Sequence, residues 1–192
     1  MHNELKLPST EPQIPEGLAI VTLGGGCFWC VEAIFKLLNG VELVISGYSG
    51  GFVDNPTYEE VSRGTTGHAE VIQVYYDSSI ISFSQILEVF WATHDPTSLN
   101  KQGADEGPHY RSVIFYHNPD QGRLAQSLKK QMNKSKVFYS PIVTEISAFS
   151  NFYPAENYHQ NYYNQNGAQP YCQLVVKPKV DKLKKFFAGR LK

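Results

Sequence analysis

The amino-acid sequence predicts an α/β fold of the α+β kind: a ferredoxin-like two-layer core in which helices pack on a mixed β-sheet, with long loops and an extended C-terminal region. Three observations carry that expectation. Strand-like apolar runs at 18–23, 41–45, 70–76, 111–116 and 142–146 alternate with amphipathic helical runs at 27–38, 82–93, 118–136 and 179–192, the pattern of helices laid on one sheet. The outline from 18 to 147 fits a split β-α-β core with extra strands. At 192 residues the chain is long enough for one substantial core, and nothing in its composition forces two domains. The expected organisation is an extended arm over residues 1–17, where Pro8, Pro12 and Pro15 stand among few large apolar side chains, and one domain over 18–192.

The first strand feeds the stretch on which the chemistry turns. Leu18–Leu23 favours β structure and runs into Gly24-Gly25-Gly26, which free the backbone for a tight turn. An amphipathic helix then opens near Cys27, with Val31, Ile34, Phe35 and Leu38 at i, i+3, i+4 and i+7, and stops at Asn39-Gly40, where glycine suits a left-handed position. Cys27 thus stands at a helix N-terminus. There the free N–H groups and the positive end of the dipole favour an anion, so its thiol is expected below the reference of roughly 8.5 and ready as a nucleophile. The competing expectation is a small buried hydrophobe, which gives no use to the three glycines or to the aromatic pair Phe28-Trp29.

Val41–Ile45 reads as the second strand, followed by a Gly- and Tyr-bearing loop from Ser46 to Tyr58, of a length that is usually functional or disordered. The third strand puts Glu70 in phase with Ile72, Val74 and Tyr76. A carboxylate there is either a solvent-facing strand end or a buried acid with a task. Ser82-Phe83-Ser84-Gln85 has capping-box spacing and opens a helix through Ile86, Val89, Phe90 and Thr93 that ends before Asp95-Pro96. His94, at its end, reads as a hydrogen-bonded structural residue. A polar loop over 97–110 precedes the fourth strand, and Asn118-Pro119 is an N-cap and N1 pair opening a long helix whose Lys129, Lys130, Lys134 and Lys136 read as a solvated face. After the strand at 142–146, the segment 149–166 is crowded with Asn, Gln and aromatic residues, among them Tyr153, Tyr158, His159, Tyr162 and Tyr163. Gly167–Cys172 and an apolar 173–176 lead into the basic C-terminal helix.

Composition narrows the partners. Net charge is −1 and no cluster of Lys and Arg precedes the tail, so neither nucleic acid nor an anionic membrane is implied and the expected partner is small or neutral. No apolar run approaches the ~20 residues of a membrane span, and the first residues lack the apolar core of a signal peptide; the expected location is cytoplasmic. Three cysteines, an odd number with one close pair, fit redox chemistry in a reducing compartment better than a disulfide framework. Aromatic residues make up 13% of the chain, with 12 Tyr, enough for an aromatic-lined site as well as a core.

Seven strings in order, GCFWCVEAIF (26–35), GYSGG (47–51), NPTYEEV (55–61), GTTGHAEVIQVYYD (64–77), FWATHDPTSLNKQGADEGPHYRS (90–112), AENYHQNYY (155–163) and YCQLVVKPK (171–179), closely resemble the peptide methionine-sulfoxide reductase A family. The resemblance runs from about residue 18 to 186. It implies that Cys27 is the nucleophile, that Phe28 and Trp29 form the apolar pocket for the substrate's S-methyl group, that Glu70, Tyr58 and Tyr110 bind and protonate the sulfoxide oxygen, and that Asp105 orients the substrate. It further implies action on the S epimer of free or peptide-bound methionine sulfoxide, one reductase serving each epimer, recycling by thioredoxin or another thiol reductant, and no cofactor. A monomer is expected.

Elementary chemistry agrees. A sulfoxide is a poor electrophile because its oxygen would leave as a strongly basic anion, so an acid must meet that oxygen. Glu70 could hold a proton at neutral pH only if desolvated, and Phe28, Trp29, Tyr58 and Tyr110 would provide such surroundings, with two phenols sharing the developing charge. Oxygen then remains on Cys27 as a sulfenic acid, which a second thiol converts to a disulfide. Two thiols are candidates. Cys172 matches the family's usual resolving position, whereas Cys30, standing where most members have Gly, lies one turn along the helix from Cys27. Ala104 in place of the usual Asn and His109 in place of the usual Gln are further departures, affecting loop hydrogen bonding rather than the catalytic set.

Other readings use the same residues. Strand, turn and Cys-x-x-Cys on a helix suit a thioredoxin-like dithiol-disulfide oxidoreductase using Cys27 and Cys30, although Phe28-Trp29 stands where small residues or Pro are usual. A cysteine hydrolase would pair Cys27 with His68 or His109 as an oriented base. A metal module would combine Cys27, Cys30, Cys172 and a histidine, without the second close ligand pair usual for zinc.

Overall fold

The structure is a computed structural model and describes residues 15–192. The arm expected over 1–17 lies mostly outside the described residues. The described chain runs β1 (Ala19–Gly24), α1 (Phe28–Phe35), β2 (Val41–Ser49), α2 (Tyr58–Ser62), β3 (Ala69–Tyr76), α3 (Phe83–Ala92), a short hairpin of β4 (Lys101–Gln102) and β5 (Asp105–Glu106), β6 (Val113–Tyr116), α4 (Pro119–Lys134), β7 (Glu145–Ala148), β8 (Tyr153–Pro154), α5 (Tyr162–Asn166) and α6 (Lys177–Phe186). Six strands form one sheet in the order β7-β6-β1-β3-β2-β8. All its pairings are antiparallel except β6 with β7.

The mixed sheet packed by helices is the fold expected, and its central strands β6-β1-β3-β2 with α1 and α3 give the β-α-β-β-α-β order of a ferredoxin-like core. The middle of the sheet is dry. All eight residues of β3 are buried, because helices cover one face and the C-terminal loops the other. The stripe Val31, Ile34, Phe35 and Leu38 is buried as its spacing requires. Both α2 and α3 begin with a complete capping box, Thr57 with Glu60 and Ser82 with Gln85, each satisfying two otherwise unpaired N–H groups.

Four boundaries differ from expectation. Helix α1 ends at Phe35, and the chain turns to Asn39 and to Gly40 at φ +87°. Strand β2 continues through Ser46–Ser49 because β3 pairs with it as far as Ser49 opposite Ala69, with β8 on the other edge at Gly47 and Tyr48; a Cβ on Gly47 would fall 2.5 Å from the Phe152 ring. Strand β7 starts at Glu145 rather than 142. Finally, 172–176 forms a π-helical turn leading directly into α6, which ends at Phe186. The lysine face of α4 is solvated except at Lys129, whose Nζ donates to the Thr144 carbonyl at 2.8 Å.

Candidate active site

The three glycines are required by closeness. A Cβ on Gly24 would lie 2.9 Å from the Glu70 carbonyl, and one on Gly26, at φ +90°, would lie 2.6 Å from Gln102 Cγ. Gln102 is itself fixed, accepting from the Asp95 N–H and donating to the Asp95 carbonyl. The turn therefore presses Cys27 against the loop that carries Asp105, and Cys27 becomes the N-cap of α1.

The helix end does not give its first N–H to the sulfur. Phe28 N–H donates to Glu70 Oε2 at 3.0 Å, so the carboxyl group occupies the anion-favouring position. Glu70 is 1% exposed, and its Oε1 has no partner. Burial pushes its pKa up to about 8, against the Phe28 N–H, which holds it down. At neutral pH the group is predominantly a neutral acid, and a proton on Oε1 leaves Oε2 free to accept from Phe28.

The thiol departs from expectation. Burial pushes Cys27 well above the ordinary thiol range; the adjacent Cys30 thiol and any charge on Glu70 add to this, and the Trp29 amide opposes it weakly. Desolvation outweighs the helix end because the sulfur is enclosed by protein and the leading N–H is engaged elsewhere. All three cysteines are free and buried, and Cys27 and Cys30 shift each other's titration.

Aromatic rings wall the pocket. Phe28 lies 5.8 Å from Tyr48, 6.5 Å from Tyr58 and 5.1 Å from His159 between ring centroids. Trp29 stacks on Tyr162 at 3.7 Å with a 5° interplanar angle and meets Tyr171 edge-on. Its indole N–H donates to His159 Nδ1 at 3.1 Å, which puts the imidazole proton on Nε2. Burial raises Tyr58 to about 12 and raises Tyr110 further, so both phenols keep their protons as donors. Asp105 accepts from the Tyr171 hydroxyl at 2.7 Å.

All the residues singled out for chemistry therefore belong to one neighbourhood, except that Cys172 lies behind the pocket, at 0% exposure at the start of the π-helical turn. His68 serves loop structure instead, accepting from Gly51 N–H and donating to the Val53 carbonyl. His109 packs against the Tyr110 ring at 4.0 Å with the planes tilted by 43°. Among the described residues no group of three or more His, Cys, Asp or Glu is placed to hold a metal ion. Also among them, no helix is long and apolar enough to cross a membrane.

Several supporting residues had no role assigned from sequence. Glu156 accepts from the Tyr48 hydroxyl and the Tyr58 N–H, seating the start of α2. Buried Glu32 accepts from the N–H groups of Asn161 and Tyr162 and pairs with Lys36 at 2.9 Å, which holds the left-handed turn at Asn161 and so brings Tyr162 onto Trp29. The string AENYHQNYY was the available signal, but its partners lie about 130 positions away.

Comparison with known proteins agrees with this arrangement. A family model described as peptide methionine sulfoxide reductase matches residues 19–190. A peptide methionine sulfoxide reductase MsrA from Leptospira borgpetersenii is 53% identical over 162 residues, covering 84% of this chain and 90% of the relative. Among solved structures, the reduced form of Mxr1 from Saccharomyces cerevisiae aligns with TM-score 0.78 at 32% identity, covering 83% of this chain and 92% of that one. The same yeast protein in complex with Trx2 aligns at 0.57 and 26% identity, covering 80% and 91%.

Proposed function

The chain belongs to the peptide methionine sulfoxide reductase family, and from that membership and the pocket's geometry we infer how its residues divide the work. The enzyme reduces methionine sulfoxide to methionine. The observation that carries the assignment of roles is Glu70: a buried, neutral acid whose unpartnered Oε1 lies beside the helix end at Cys27.

The sulfoxide's S-methyl group enters between Phe28 and Trp29, and its oxygen reaches Glu70 Oε1 and the phenols of Tyr58 and Tyr110. The Cys27 thiolate, formed as substrate displaces water and supplies the positive sulfur, attacks that sulfur. Glu70 gives its proton to the oxygen as the sulfur–oxygen bond to methionine breaks. As that bond breaks, the hydroxyl passes to the Cys27 sulfur and the bond between Cys27 and the methionine sulfur opens; methionine leaves as the thioether with the electron pair so released, Cys27 is oxidised to the sulfenic acid, and Glu70 is left ionised until solvent returns its proton. Asp105, held by Tyr171, orients the substrate's main chain. Cys172 and Cys30 are the thiols available to turn the sulfenic acid into a disulfide, which thioredoxin opens; the solved complex of a structural relative with Trx2 supports that choice of reductant.

Turnover of a racemic methionine-sulfoxide peptide with thioredoxin, following each sulfur epimer separately, tests the reading. Consumption of the S epimer alone is expected. Consumption of neither, even with a chemical thiol, would overturn it and leave disulfide exchange by Cys27 and Cys30 as the function to pursue.

A further inference from the structure

We propose that the outer face of the helix layer, where the end of α4 meets the end of α6, docks the enzyme on the surface of an anionic phospholipid bilayer. The proposal stands apart from the reductase reading and uses none of the residues assigned to it.

The whole-chain charge of −1 conceals a separation. Eleven of the 17 basic residues fall at 129–136 and 177–192 together with a single acid, Asp181, which leaves six basic and 17 acidic residues for the rest of the chain. Lys130, Lys134 and Lys136 in and after α4, and Lys182, Lys185 and Lys192 in and after α6, are all exposed. Among the described residues none of these six is ion-paired.

The two lysine clusters share one face because their segments meet. Phe187, just past α6, lines a single groove with Leu128, Met132 and Phe138 at the end of α4. The tail is fixed in place there: Arg190 pairs with Glu88 of α3 at 2.7 Å, and Lys192 N–H donates to the Leu37 carbonyl at 2.9 Å.

Apolar side chains stand out among these cations. After α4, Lys136 at φ +50° turns the chain, and Ile142 N–H donates to Asn133 Oδ1 at 2.9 Å, which ties a short loop at its base. On that loop Val137 is 58% exposed and Tyr139 is fully exposed. Beside Phe187, Phe186 is 64% exposed, with the Lys185 ammonium 5.3 Å from its ring centroid.

An anionic bilayer answers both features. Its surface charge attracts clustered lysines, and its headgroup region accepts aromatic and aliphatic side chains. A nucleic acid would use the charges and leave Val137 in water. The free cations are moreover lysines, point charges suited to a diffuse anionic surface, whereas the fork of Arg190 is engaged by Glu88. Charges act over about 8 Å at physiological salt, so the local cluster governs attraction and the acids elsewhere turn the molecule helix layer down. Cys27 opens α1, whereas the tail is held just past the other end of that helix at Leu37 and Leu38, so docking leaves the pocket mouth uncovered.

The test is co-sedimentation of the full chain with vesicles of equimolar phosphatidylglycerol and phosphatidylcholine, beside vesicles of phosphatidylcholine alone and a single-stranded DNA oligonucleotide. The parent should partition at least about tenfold more strongly onto the anionic vesicles than onto the neutral ones, and added salt should weaken that binding. Replacing Lys130, Lys134 and Lys136 together by Gln should lower it about tenfold or more. Val137→Ser combined with Tyr139→Ser should lower vesicle binding several-fold and leave any binding to DNA unchanged. Thermal midpoints equal to the parent's show that the variants are folded. No binding to anionic vesicles, or equal binding to neutral ones, would overturn the proposal. So would a Val137/Tyr139 variant that binds vesicles as the parent does, or tighter binding to DNA than to vesicles, either of which would make the face a general polyanion site. Methionine release measured on the same samples reports on the reductase reading separately, since no residue changed here lines its pocket.

Discussion

Two buried polar clusters lie within the same sheet-and-helix scaffold, and they are finished differently. Under the glycine turn, Trp91 N–H donates to Thr144 Oγ1, and the hydroxyls of Thr144 and Ser112 continue the chain to His94 Nε2, while His94 Nδ1 meets the Phe90 carbonyl. Burial lowers His94 to about 4, so it is neutral and each of its nitrogens has one partner. At the pocket, Glu70 Oε1, His109 Nδ1 and His159 Nε2 are buried without partners. Buried polar groups are almost always satisfied in native proteins. A complete cluster has no hydrogen-bonding capacity left for a ligand, whereas an incomplete one keeps donors and acceptors that a polar ligand can meet. The structural expectation for His94 and the chemical one for Glu70 are separated by this difference more clearly than by either residue's burial.

The comparison breaks first at Glu70. Glu70→Gln keeps an acceptor for Phe28 N–H and removes only the proton, so methionine release in a single turnover should fall about 10²- to 10⁴-fold; full activity in this variant would remove Glu70 from proton transfer. Stability should move the other way. Glu70 titrates near 4.5 when unfolded and near 8 when folded, so the unfolded chain loses its proton first as pH rises. Its contribution is fully present below about 4.5 and is lost progressively up to about 8. At about 1.4 kcal/mol per pKa unit, the loss is bounded at about 5 kcal/mol. Thermal melts of the parent should therefore decline relative to Glu70→Gln between pH 5 and pH 8, and parallel curves would show that the acid is not held neutral.

The complete cluster should behave in the opposite way. Ser112→Ala leaves His94 Nε2 and the Thr144 hydroxyl without their shared partner, at a cost of about 1–3 kcal/mol, read as a lower midpoint in urea. Catalysis in the folded variant should change little, because Ser112 touches the pocket only through His94, whose ring packs on Gly25. A large fall in turnover with unchanged stability would place this network in the reaction and erase the distinction between the clusters.

The sequence reveals the parts of the site that are local. Three glycines before Cys27, Glu70 in phase with Ile72 and Val74, and both capping residues are set by neighbours within a few positions. The direction of the Cys27 titration is not local. It depends on enclosure by segments near 70, 110, 160 and 171 and on Glu70 reaching the Phe28 N–H first. Likewise, Ser46 and Gly47 carry no strand signature and join β2 because β3 pairs with them at Ile72 and Val71, with β8 arriving on the other edge at Gly47. The pairing of Trp29 with His159 and Tyr162 has the same character. The motif strings identify these positions as special, and only the fold shows which partners they hold.

The smallest effects should come from the phenols, where the incomplete cluster has redundancy. Tyr58 is seated by Glu156 at the start of α2, whereas Tyr110 sits in the short turn after the β4–β5 hairpin, its ring against His109. In the proposed mechanism the two donors arrive on separate elements and both keep their protons, so each is expected to serve the sulfoxide oxygen alone. Tyr58→Phe and Tyr110→Phe should each lower the methionine-release rate about tenfold, and the double variant by more than the product of the two. A double variant no worse than the worse of the two single ones would mean that only one phenol reaches the oxygen. The partner left for Glu70 Oε1 in forming the oxygen's hydrogen bonds would then be identified by which single variant carries the whole loss.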